Sequence, residues 1–154
     1  MKIAIASDHA GFPEKEQLKP LLDELGIQYE DLGTTSTESV DYPDYARKVG
    51  EEVAAGKVDQ GLLVCGSGTG MAIAANKVPG ARAAVGWSPD IARLAREHND
   101  CNVLALGGRV TPFDELTKIV RSWFEAEFAG GRHEQRVDKI REIEQEDLTH
   151  RAAN

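Results

Sequence analysis

The chain reads as an α/β fold, a three-layer α/β/α sandwich around a five-stranded parallel sheet of the Rossmann or flavodoxin-like kind. Short runs rich in Val, Ile, Leu and Ala alternate with longer amphipathic segments, the pattern of βαβ units. Three of the amphipathic segments open at prolines, Pro13, Pro43 and Pro89, which suit a first helical turn where a missing N–H costs little. The glycine-rich turns follow predicted strands, where ligands bind in open parallel sheets.

In chain order, the first strand is predicted over residues 2–7 and the first helix over 13–25. Pro20 inside that helix removes one hydrogen bond and is expected to kink it. A strand over 27–32 leads to a helix over 43–55, and the apolar run 60–65 is the third strand. The alanine-rich stretch 70–77 is read as a helix, 81–86 as a strand, 89–97 as a helix, 102–106 as the fifth strand and 113–128 as a helix. A sixth helix, about 133–146, follows Gly130-Gly131 and places Val137, Ile140 and Ile143 on or near one face. Residues 1–148 are expected to form one domain, with 149–154 a frayed tail.

The 154 residues suffice to bury roughly 68–70% of the unfolded surface around one core. Two cysteines, Cys65 and Cys101, make neither a disulfide framework nor a zinc motif, so a reducing cytoplasm is expected. The first eight residues reach Asp8 too soon for the apolar region of a signal peptide, and no apolar stretch of about 18 residues occurs. A net charge of −8 disfavours nonspecific attraction to nucleic acid or anionic membrane. An anionic small substrate would need a local cluster of positive charge.

The turns after the strands carry the chemistry. They are Asp8-His9-Ala10-Gly11, Gly33-Thr34-Thr35, Cys65-Gly66-Ser67-Gly68-Thr69-Gly70 and Gly107-Gly108-Arg109. Asp8 also fits a helix cap, and Cys65 also fits an inert buried thiol. At the start of a helix, however, a thiol faces unsatisfied N–H donors that stabilise an anion. Cys101 is expected in the core. The turn at Cys65 lacks the Gly-Lys-Ser/Thr ending of a P-loop, and a dinucleotide fingerprint would sit after the first strand. A cysteine phosphatase would need arginine where Met71 stands.

His98-Asn99-Asp100 ends the fourth helix, at the opposite sheet edge from Cys65. His98 there fits a helix C-terminus, or else it serves a neighbouring chain's site. Arg132 and Arg136 share a helix face beside His133, a local positive cluster suited to phosphate oxygens.

Together Ser7-Asp8-His9-Ala10-Gly11-Phe12, Asp41-Tyr42-Pro43, the Cys65–Gly70 turn, Ala74-Ala75-Asn76-Lys77, His98-Asn99-Asp100, Gly107-Gly108-Arg109 and Gly130-Gly131-Arg132-His133 make the chain similar to the ribose 5-phosphate isomerase B group of the RpiB/LacAB sugar-phosphate isomerases. The resemblance implies aldose–ketose isomerisation through a cis-enediolate, with neither metal nor cofactor. It assigns Cys65 as base and gives the enediolate oxygen to Ser67 and the Gly66, Gly68, Thr69 and Gly70 amides. Another branch uses a glutamate at the position of Met71, so this chain falls in the cysteine branch. His98, aided by Asp8, would open the furanose ring. His9, Arg109, Arg132 and Arg136 would hold phosphate, and Tyr42 and Asn99 would line the sugar site. The family builds this site between subunits, implying a homodimer or a dimer of dimers. Alternatives are allose 6-phosphate, galactose 6-phosphate or a tetrose phosphate as substrate, or a non-catalytic sugar-phosphate-binding module.

Overall fold

In the computed structural model, which describes residues Met1–Asn154, the elements run β1 (Lys2–Ser7), α1 (Phe12–Glu24), β2 (Gln28–Asp31), α2 (Tyr42–Ala54), β3 (Gln60–Cys65), α3 (Thr69–Ala75), β4 (Ala83–Val85), α4 (Pro89–Asn99), β5 (Val103–Gly107), α5 (Phe113–Glu125) and α6 (Arg132–Ala153). All strand pairs are parallel, in the order β2-β1-β3-β5-β4.

The central strands β1, β3 and β5 are buried along nearly their whole length, as their apolar runs require when both faces are covered. β4 is three residues long and only half-buried. It forms a short edge, and β5 inserts between it and β3. Short edge strands limit unwanted pairing with other chains.

Alternate residues of the strands feed two cores. Ile3, Ile5, Leu62, Val64, Leu104 and Leu106 face α1, α4 and α5. Ala4, Ala6, Leu63, Cys65, Val103 and Ala105 face α2 and α3. Trp123 is fully buried in the first layer, and its indole N–H donates to Gln60 Oε1 at 2.7 Å, meeting the need of a buried polar atom for a partner.

Pro20 lies inside α1 and is exposed, so its ring meets solvent rather than a packed layer. Two details depart from the sequence reading. β4 is shorter than 81–86. The last helix does not stop at 146: helical structure runs to Ala153, sustained by good helix formers without Gly or Pro and by an Arg151–Asp147 pair at 2.8 Å. Residues 149–153 are therefore helix, not a frayed tail.

The chain leaves β1 toward β2 on one side and reaches β3 on the other. This switch point, at the carboxyl ends of β1 and β3, is where an open parallel sheet forms a crevice.

Candidate active site

Asp8 and the Cys65 turn lie side by side at that switch point, because Ser7 pairs with Val64 across the ladder and the Asp8 amide donates to the Val64 carbonyl at 3.3 Å. Cys65 is 4% exposed. Its Sγ accepts the Gly68 N–H at 3.1 Å. Gly68 has φ +83°, and a Cβ there would stand 3.0 Å from the Leu106 backbone, so a side chain would face both strain and a close contact. Ser67 Oγ accepts the Thr69 N–H at 3.4 Å. The amides of Gly66 and Ser67 make no hydrogen bond within the chain. A thiol, a hydroxyl and free donors thus converge on one turn.

The neighbouring turns close around it. The Gly108 amide donates to the Cys65 carbonyl at 2.8 Å and the Arg109 amide to the Gly66 carbonyl at 3.1 Å, which lays Arg109 beside the glycines. The Tyr42 ring rests on Gly70, 2.6 Å from where a Cβ would be. Asp8 is buried and its Oδ1 accepts the Gly11 N–H at 3.0 Å. Asp8 is not the helix cap, since Gly11 holds that position without a side-chain partner; its bond to the Gly11 amide braces the loop before α1 and occupies one carboxylate oxygen only. His9 Nδ1 accepts the Val40 N–H at 3.1 Å, so Nε2 carries the proton of the neutral ring and is a donor. Met71 is fully buried and offers no replacement base.

His98, Asn99, Arg132 and Arg136 lie elsewhere. α4 ends at Asn99, just before β5 begins, so this group occupies the amino-end edge of the sheet. His98 stacks on His133 with centroids 4.1 Å apart, and the Ala129 amide donates to the Glu97 carbonyl at 3.0 Å, tying the start of α6 to the end of α4. His133, which adjoins Arg132 at the loop-to-helix junction, joins this group through its stack on His98, a contact that the sequence does not show. Partial desolvation, then the charges of His98, Arg132 and Arg136, hold its pKa below the ordinary histidine value.

Arg109, Arg132 and Arg136 are the three arginines without a carboxylate within 4.0 Å; the other seven of the ten each have one. In a chain of net charge −8, guanidinium groups left unpaired are free for an anion. A cleft of about 710 Å³ under α6 also holds Arg82, Arg96 and Arg141. These are already spent on Asp100 and on the Asn99, Asp100 and Cys101 carbonyls.

Cys101 is buried against α4 and α5, and burial first of all pushes its thiol up to about 11. It is a core residue, as expected. No group of three or more His, Cys, Asp and Glu side chains is placed to hold a metal. No helix is long and apolar enough to cross a membrane.

Residues 3–140 match the family model described as Ribose/Galactose Isomerase. Over 144 residues the chain is 49% identical to Ribose-5-phosphate isomerase B of Escherichia coli, spanning 94% of this chain and 97% of that one. Among solved structures, Ribose-5-Phosphate Isomerase B of Clostridium thermocellum is 52% identical with a TM-score of 0.92, covering 95% and 99% of the two chains. That of Mycoplasma genitalium, solved with bound ribulose-5-phosphate, is 41% identical with a TM-score of 0.90, covering 94% and 97%.

Proposed function

The chain belongs to the ribose/galactose isomerase family, and from that premise we propose that it interconverts ribose 5-phosphate and ribulose 5-phosphate through a cis-enediolate. Cys65 as thiolate takes the proton from C2 of the open-chain aldose, and the electron pair moves to form the C1–C2 double bond. The charge on the C1 oxygen meets the free amides of the Gly66–Gly70 turn and the Ser67 hydroxyl, donors already in place before the charge develops. The proton returns to C1, a second proton passes from O2 to O1, and no outside oxidant or reductant is consumed.

The single observation that carries this reading is the Cys65 Sγ under the Gly68 N–H at 3.1 Å, beside two amides with no internal partner. His9 and Arg109 take phosphate from one side and Arg132 and Arg136 from the other. His98, with Asp8, opens the furanose ring, and Tyr42 and Asn99 border the sugar. Because these residues lie at opposite sheet edges of one chain, the complete site is shared between two copies, in a homodimer or a dimer of dimers. Two free thiols fit a cytoplasmic protein.

The test is turnover of ribose 5-phosphate by the purified protein and by Cys65→Ala. A general base contributes about 10²–10⁴ in rate, so the variant should lose that factor while remaining folded. Undiminished turnover by the alanine variant removes Cys65 as base. Galactose 6-phosphate and a tetrose phosphate, assayed alongside, decide the substrate.

A further inference from the structure

Lys15 is 1% exposed, the one lysine in the core. A buried ammonium is retained only where partners repay its desolvation, and here it has two: Asp31 Oδ1 at 2.7 Å and the Thr34 carbonyl at 2.7 Å. Its charge also lies 5.5 Å from the centre of the Phe12 ring. Asp31 in turn accepts the Gly33 N–H at 2.9 Å and pairs with Lys19 at 2.9 Å. Burial opposes the charged carboxylate, but the hydrogen bonds from Lys15, Lys19 and Gly33 outweigh it and hold its pKa below the usual range.

This clamp sits directly beneath the candidate site. Gly33 and Thr34 are stitched to the end of β1 by the Ser7 amide donating to the Gly33 carbonyl and the Thr34 amide donating to the Ser7 carbonyl, both at 2.8 Å. Ser7 immediately precedes Asp8 and His9. The same segment continues to Val40, whose amide donates to His9 Nδ1, and then into α2, where Tyr42 covers Gly70. Lys15 thus holds one root of the 33–40 loop, and α2 holds the other.

We propose that Lys15 is a positioning residue: by pinning Thr34 and Asp31 it fixes the loop whose Val40 amide locks His9 as the Nε2–H tautomer, aimed as a phosphate donor. This rests on the isomerase reading for the identity of the anion, but not for the tautomer itself.

In substrate-free wild-type protein, long-range ¹H–¹⁵N spectra should show His9 with Nδ1 unprotonated and Nε2 protonated. In Lys15→Met, which keeps the buried stem and removes the charge, that single-tautomer signature should be lost. The KM for ribose 5-phosphate should then rise about tenfold, with kcat changed less than about threefold. A wild-type His9 in the Nδ1–H form overturns the proposal, as does a folded Lys15→Met protein with wild-type His9 signals and KM. If Lys15→Met fails to fold, Asp31→Asn takes its place, with the same shifts expected and unchanged His9 signals and KM again overturning the proposal. Failure of wild-type protein to turn over ribose 5-phosphate counts against the isomerase reading alone, and the His9 spectra still decide this one.

Discussion

His98 and His133 stack with their planes 10° apart and their centroids at 4.1 Å, binding the end of α4 to the start of α6 at the sheet edge opposite Cys65. Desolvation and the neighbouring charges of His98, Arg132 and Arg136 lower the pKa of His133. A lowered histidine pKa means the neutral ring is favoured in the folded chain, so the pairing loosens as pH falls through that range. NMR titration should place the His133 midpoint below the usual value of about 6.5. Arg136→Gln should move it upward, as should saturating inorganic phosphate. A midpoint at or above the ordinary value, insensitive to both, contradicts this electrostatic picture.

Arg109, Arg132 and Arg136 lack carboxylate partners, so each is expected to serve the substrate's phosphate. A hydrogen bond to a charged group is worth about 1.5–3 kcal/mol, roughly a tenfold to hundredfold effect. Arg132→Gln and Arg136→Gln should each raise the KM for ribose 5-phosphate by that factor, with a smaller change in kcat. Stability should barely move, since both side chains are exposed. Arg96→Gln, by contrast, should cost stability, because Arg96 holds Asp100 at 3.2 Å and the Cys101 carbonyl.

Cys101 gives an alkaline signature. Burial raises its pKa from 9.0 to about 11, with Arg82 and Arg96 opposing and Asp100 adding to the shift. The folded state therefore prefers the neutral thiol, a preference fully present below about pH 9 and lost as pH rises toward 11. The two-unit shift corresponds to about 2–3 kcal/mol. Denaturant midpoints of the wild type should fall across that window more steeply than those of Cys101→Ala. Parallel pH profiles would show that the thiol is not the source.

Much of this was legible in the chain. The short unbroken apolar runs at Ile3–Ala6 and Leu62–Cys65, bounded by turn residues, fit strands covered on both faces, and the glycines next to Cys65 mark a turn that backbone approaches closely. The placement of the candidate residues at two edges was legible too, since a residue ending a helix before a parallel strand lies opposite one ending a strand. Lys15 was not legible: a lysine in an amphipathic helix reads as solvated, although it shares a face with Leu18 and Leu22, both buried. What reverses that reading is a carboxylate 16 residues away, a tertiary fact. The stacking of His98 on His133 likewise depends on how α6 returns to α4, which local pattern does not encode.

The division of the site between two edges is the central claim, and coexpression of two inactive chains tests it most directly. Cys65→Ala and His98→Asn, each purified alone, should isomerise ribose 5-phosphate poorly. Coexpressed under different tags, they should assemble mixed dimers in which one site combines an intact Cys65 with the other chain's intact His98. Statistical pairing then predicts about a quarter of wild-type activity. A mixed preparation no more active than its parents, with heterodimers verified by tandem purification, would contradict a shared site.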